Sequence, residues 1–263
     1  DESAQLSLSN PMDINRGLAT HAMAVSIIDE YRHRAETTGA FAPWFSIDPP
    51  FPDGIYGYDK IVKGAYCNGG IMPLVGGELA RAAFEHGYES FGLEQLLRYE
   101  ELTSNNETYL WYFPNGRHAT KETSTSPEAY PTDGWGASAM LYALIEGLVG
   151  VVDEQKAFTS VRLAPRWIAA GQKEVQVTCA YGASGASLCY DFRHDPAAQT
   201  ITLEVGGHAR ANLHVLLPAG TRMQRVTCQS RRVHAVTSMV EKSPYADAAC
   251  RIHGRATIII QYV

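Results

Sequence analysis

Between Lys121 and Gly147 the chain changes character within a few residues, and that change limits what it can fold into. The first half collects Ser124, Ser126, Pro127, Pro131, Thr132, Asp133 and Gly134. These residue types favour turns and local side-chain-to-backbone hydrogen bonds over regular structure. The same half carries two carboxylates, Glu122 and Glu128. The second half, from Ala137 through Leu148, is apolar apart from Ser138 and Glu146. A helix apolar on nearly every face is expected to be buried on all sides. An acid-bearing loop at the mouth of such a helix has the layout of an active-site rim resting on a rigid scaffold.

Upstream the pattern is helical with long interruptions. Asn10-Pro11 reads as an N-cap followed by proline at the first helical position, and Thr20 reads as the cap of a longer helix. Met23, Ile27, Tyr31 and Ala35 recur every four residues and predict one apolar stripe on that helix. From Ala40 to Gly70 periodicity vanishes in a stretch rich in proline, glycine and aromatics, a length of irregular chain that is usually functional. Pro73 opens a third helix whose Gly76 and Gly77 cost helix stability, so they predict close approach of another helix or a ligand. A fourth helix is expected from Ser90 to about Leu102.

After Asp153 the runs become short, β-rich and separated by turn residues, including Gly206-Gly207 and Pro218-Ala219-Gly220. Strands at that spacing predict an antiparallel β-sandwich. The expected organisation is therefore a helical region over residues 1–153 and a sandwich over 154–263. With 22 basic and 28 acidic residues the net charge is −6, which argues against a nucleic-acid partner. No uninterrupted apolar run reaches the ~18 residues of a membrane helix, so no membrane partner is expected. Five scattered cysteines form no CxxC pair, and the nine histidines show no ligand spacing, so neither metal nor other cofactor is predicted. Free thiols favour a reducing, cytoplasmic interior, although Cys179 and Cys189 could pair across neighbouring strands.

Three further elements carry a likeness. Tyr66-Cys67-Asn68-Gly69-Gly70-Ile71-Met72-Pro73 resembles the Y-x-N-G-x-x-x-P element of six-hairpin, (α/α)6-barrel glycosidases. Glu128-Ala129-Tyr130 through Asp133-Gly134-Trp135-Gly136-Ala137 resembles the later acid-then-G-W element of the same clan, and Tyr190-Asp191-Phe192 is similar to the sandwich that follows the barrel in rhamnosidase-like enzymes. The resemblance implies a partial (α/α)6-toroid followed by a β-sandwich. It also implies a glycoside hydrolase acting on an oligo- or polysaccharide. A closed barrel needs twelve helices, so it further implies that the general acid and the other half of the barrel lie upstream or on a second chain.

Glycoside hydrolysis uses two carboxyl groups. The resemblance places the catalytic base on Glu128, with Glu122 as the alternative, while either residue could equally be a solvated loop carboxylate. Asn68, Tyr66, Trp44, Trp111, Trp135 and Asp133 are the expected sugar-binding residues. Asn68 supplies both donor and acceptor, and the aromatics supply flat apolar faces. Core filling is the competing role for the tryptophans, backbone conformation for Asn68 and helix capping for Asp133. Three alternatives stay open: a disaccharide phosphorylase using Arg117, His118 and Lys121 for an anion, a polysaccharide lyase, and a non-catalytic carbohydrate-binding protein.

Overall fold

The structure is a computed structural model that describes residues 5–124 and 130–263. It divides into two compact units, Asp1–Leu144 and Ile145–Val263.

In the first unit, β1 (Leu6–Ser7) pairs with β2 (Ile47–Asp48), and the helices are α1 (Ser9–Asn15), α2 (His21–Thr37), α3 (Pro73–Glu85), α4 (Glu89–Leu102) and α5 (Gly134–Tyr142). Thr20 caps α2 by accepting from the Met23 amide, and Pro73 occupies the first turn of α3. Two predictions shift. Helix α1 begins at Ser9, with the Asn10 carboxamide bonded back to the Ser7 amide at 2.7 Å. The buried stripe of α2 is Ala24, Ile28 and Tyr31 rather than Met23 and Ile27, because the contact with the core is offset by one residue.

Helix α3 is the pivot of this unit and packs on α1, α2, α4 and α5. Gly76 and Gly77 are both buried, and a Cβ at Gly77 would stand 2.6 Å from the Ala139 carbonyl oxygen of α5. A Cβ at Gly136 on α5 would likewise meet Pro73 at 2.5 Å. The two helices therefore touch backbone to backbone, as the glycines predicted. The aperiodic segments are held by isolated bridges that run Phe45–Ile71–Tyr112–His118, so three loops lie side by side as a short extended ladder.

The second unit is one nine-stranded sheet: β3 (Val151–Gln155), β4 (Ser160–Leu163), β5 (Glu174–Ala180), β6 (Ser187–Asp195), β7 (Thr200–Leu216), β8 (Met223–Cys228), β9 (Arg231–Arg232), β10 (Ala235–Val240) and β11 (Ser243–Tyr262). Strands β7 and β11 pair over their whole length. One half of this ribbon carries β5, β6 and β8; the other carries β4 and β10. Gly207 faces Gly254 at the changeover, and both have positive φ (145° and 78°), so the ribbon leaves regular strand geometry there. Side chains from both halves, among them Val161, Leu163, Leu203, Val205 and Ile258, belong to one buried cluster. The sheet thus covers a single core from two sides.

Several expectations are corrected. An all-helical (α/α)6-toroid region followed by an antiparallel sandwich does not describe the molecule. Strand accounts for 34% of the chain against 27% helix, with five α-helices among the described residues. The physical reason is visible in residues 40–72, 103–124 and 130–133, where proline, glycine and aromatics replace helical periodicity. The β region is mixed rather than antiparallel, because β4 runs parallel to β7. Gly206-Gly207 is a bend inside a continuous strand and not a turn. Helix α5 is not buried on all sides: Gly136 and Met140 face α3, while Trp135, Leu141 and Tyr142 are exposed. Among the described residues no helix is long and apolar enough to cross a membrane, and no group of three potential metal ligands occurs. All five cysteines are free.

The backbone contact at Gly77 makes a direct prediction. Helix propensity alone would favour Gly77→Ala by about 1 kcal/mol. The added methyl group instead has to displace backbone, which costs about 1–3 kcal/mol. The G77A variant is expected to unfold at lower urea concentration than the parent, and a rise in midpoint would refute the close contact.

Candidate functional site

The start of α5 is fixed from two sides. The Asp133 amide donates to the Thr108 carbonyl at 3.0 Å. Its carboxylate accepts from the amides of Trp135 (3.2 Å) and Gly136 (2.8 Å), satisfying two of the free N–H groups of the first turn. Asp133 is thus the cap of α5. An ionised carboxylate offers about four acceptor positions, so roughly two remain open to a ligand hydroxyl.

This end of α5 borders a cleft of about 390 Å³ lined by Tyr66, Leu110, Tyr130, Thr132, Asp133 and Trp135. Trp135 is 69% exposed and Tyr130 51%, unusual for side chains that bury large apolar areas when packed. Tyr66 has φ of 43°, a left-handed conformation that is uncommon for a side chain of its size. Its carbonyl accepts from the Ser46 hydroxyl (2.7 Å) and the Gly70 amide (3.1 Å), which hold the turn in place. A tight turn stabilised from outside is a common way to aim one side chain at a ligand.

A second cavity of about 540 Å³ lies along Phe113–Thr123 and is lined by Phe113, Asn115, Arg117, His118, Thr120 and Thr123. His118 stacks on Tyr109 with ring centroids 4.2 Å apart. Its Nδ1 lies 2.9 Å from the Ala119 carbonyl oxygen, which can only accept, so Nδ1 carries hydrogen. Glu122 follows Thr120 closely and is fully solvent-exposed. Its carboxyl is held below the usual glutamate range first by the Thr120 hydroxyl hydrogen bond and then by its own backbone N–H. Lys60 and Lys121 add attraction for its charge. The Lys121 ammonium stands 5.4 Å from the centre of the Tyr130 ring, linking the Glu122 segment to the aromatic cleft.

Of the residues singled out in the sequence, the structure brings Tyr66, Asp133 and Trp135 together in one cleft, with Glu122 on the neighbouring segment. Glu128 lies outside the described residues. Trp44, Trp111 and Asn68 are in the core, at most 1% exposed. The Trp44 indole donates to Gln95 at 2.9 Å. The Asn68 carboxamide bonds both polar groups of Phe51, accepting from its amide (2.8 Å) and donating to its carbonyl (3.1 Å). Asn68 therefore completes a backbone ladder inside the unit. Sequence reasoning missed Tyr130 and Thr132, and the available signal was an aromatic flanked by prolines in a solvated, acid-bearing loop.

No family model and no curated protein matches this chain. Among solved structures it is similar to an alpha-L-rhamnosidase from Dictyoglumus thermophilum, with a TM-score of 0.54 and 11% identity over 97% of this chain. The chain spans 25% of that enzyme. A GH127 beta-L-arabinofuranosidase from Geobacillus Stearothermophilus T6 aligns over 78% of this chain and 33% of its own, at 11% identity and a TM-score of 0.34, too slight a likeness to bear on the fold. The rhamnosidase likeness is one of fold.

The Asn68 arrangement is testable. Asn68→Ala leaves the Phe51 amide and carbonyl without partners, at about 1–3 kcal/mol for each group that water does not reach. Denaturant unfolding is expected to show a loss in that range, and a near-neutral variant would mean the carboxamide does not bridge Phe51.

Proposed function

We propose that this chain is a glycosidase module that seats a sugar ring in the cleft of Tyr66, Tyr130 and Trp135. The observation that carries the reading is the pair of exposed aromatics, Trp135 and Tyr130, in a concave site with an acceptor carboxylate at its edge. Sugar rings present apolar C–H faces and a rim of hydroxyls, so they need a flat apolar platform beside hydrogen-bonding groups. The fold likeness to a rhamnosidase supports the same reading.

Glycoside cleavage divides its work between a carboxylic acid that protonates the leaving oxygen and a carboxylate that attacks the sugar or activates water. Glu122, on the segment that the Lys121–Tyr130 contact ties to the cleft, is assigned the second role, as base or nucleophile. Glu128 is the other candidate for that role. The whole reaction, and the identity of the sugar, belong to this proposal.

Binding is read by tryptophan fluorescence on titration with rhamnose and a panel of neutral saccharides. Trp135→Ala is expected to weaken binding roughly tenfold, the equivalent of about 1.4 kcal/mol. If no saccharide perturbs the fluorescence, the cleft is not a sugar site. Turnover is read with aryl glycosides, α-L-rhamnoside included. Because the Glu122 carboxyl lies below its ordinary value, the acid limb of the pH profile is expected below that of a free glutamate. Activity lost as pH falls through the usual glutamate range, or retained in Glu122→Gln, would remove Glu122 from the mechanism.

A further inference from the structure

The cavity along Phe113–Thr123 contains chemistry that cleavage of a neutral sugar does not use. Its lining includes the Arg117 guanidinium, the His118 ring, the Asn115 side chain and the threonines at 120 and 123. We propose that this cavity is an oxyanion subsite. It would take a uronate carboxylate on the saccharide or an inorganic phosphate beside it. The assignment rests on the sugar-binding reading of the adjoining aromatic cleft.

Arg117 sits in a tight hairpin. Its carbonyl accepts from the Phe113 amide at 2.7 Å, its amide donates to the Asn115 side chain at 3.1 Å, and Gly116 takes the positive φ of the turn. The backbone is thereby held while the side chain is exposed. A guanidinium keeps its charge at any working pH and presents a planar fork that matches two oxygens of a carboxylate or phosphate. Since His118 Nδ1 is turned to the Ala119 carbonyl, Nε2 is the ring atom left for a ligand, as donor when the ring is protonated.

The charges around the cavity favour an anion. Arg117 and Lys121 lie on its own segment, and Lys60 reaches that segment through the carbonyls of Lys121 (2.9 Å) and Ser124 (3.0 Å). Opposing them are Glu122, already hydrogen-bonded to Thr120, and Glu107, whose partner Tyr109 stacks on His118. Glu107 is occupied by the Asn105 carboxamide (2.9 Å) and the Tyr109 hydroxyl (3.0 Å). Lys121 follows the cavity residue Thr120 in sequence, and its ammonium stands 5.4 Å from the ring centre of the cleft residue Tyr130, so one segment joins the two sites.

The test is calorimetric titration of the protein with glucuronate, inorganic phosphate and neutral glucose at low salt. It is carried out on the parent, Arg117→Gln and Arg117→Lys, each first checked for an unchanged melting temperature. At least one anion is expected to bind more tightly than glucose. Arg117→Gln should lose roughly tenfold or more of that affinity, and Arg117→Lys should recover part of it. Glucuronate binding without phosphate binding assigns the oxyanion to the saccharide; phosphate binding alone assigns it to a free co-ligand. No anion binding, or equal binding by Arg117→Gln, overturns the subsite. Failure of neutral saccharides to bind would count against the aromatic cleft and leave the Arg117 result separately readable.

Discussion

The candidate site depends on the close approach of two helices. Gly76 and Gly77 on α3 face Ala139 and Met140 on α5, and Gly136 on α5 faces Pro73. A Cβ would meet the Ala139 backbone at Gly77, the Met140 and Trp44 side chains at Gly76, and Pro73 Cβ at Gly136, so the helices can approach this closely only with glycine there. Dispersion between closely packed surfaces compensates for the entropy that glycine costs a helix. The Asp133 cap fixes where α5 begins and the glycine contact fixes how closely it lies on α3, and the start of α5 is where Asp133, Gly134 and Trp135 meet the cleft. A looser α3–α5 contact would leave the cap bonds formed but would shift the aromatic platform.

Around that contact the unit uses polar groups as fasteners rather than as ligands. Asn68 stitches Phe51 into the interior, Gln95 satisfies the Trp44 indole, and Ser46 holds the Tyr66 turn. Buried polar groups are tolerated when their bonds are complete, and each of these side chains joins segments distant in sequence. The result is a stiff floor of loops beneath exposed residues, which suits a site that must hold aromatic faces and a carboxylate in a fixed relation. The sheet unit solves a different problem. Its two longest strands, β7 and β11, serve both halves of the sheet and change over at the Gly207–Gly254 pair, so one ribbon organises the whole core.

Much of the local structure was legible in the sequence. Thr20 and Pro73 announced helix starts, Gly76-Gly77 announced a close contact, and the short β-rich runs after Asp153 announced strands. Of the residues the acid-bearing loop and the Tyr66 element put forward, Tyr66, Asp133 and Trp135 share a cleft. Other signals misled for identifiable reasons. Trp44, Trp111 and Asn68 have side chains that suit a sugar equally well as a core, and residue type does not say which way they point. The resemblance to a helical barrel overstated helix, because short motifs carry no information about the irregular chain between them.

What the sequence determined by itself was the set of local preferences: where helices can start, which glycines permit contact, which runs alternate, and where turn formers and acids accumulate. These follow from steric limits and hydrogen bonding within a few residues. Only the tertiary structure decided that α5 buries one face and exposes Trp135 and Leu141, that Gly206-Gly207 bends a strand instead of ending it, and that β4 runs parallel to β7. It alone decided that Asn68 serves Phe51 while Arg117 and His118 line a cavity. Those outcomes depend on which distant segment occupies the space beside each residue, and packing of that kind is set by the whole chain at once.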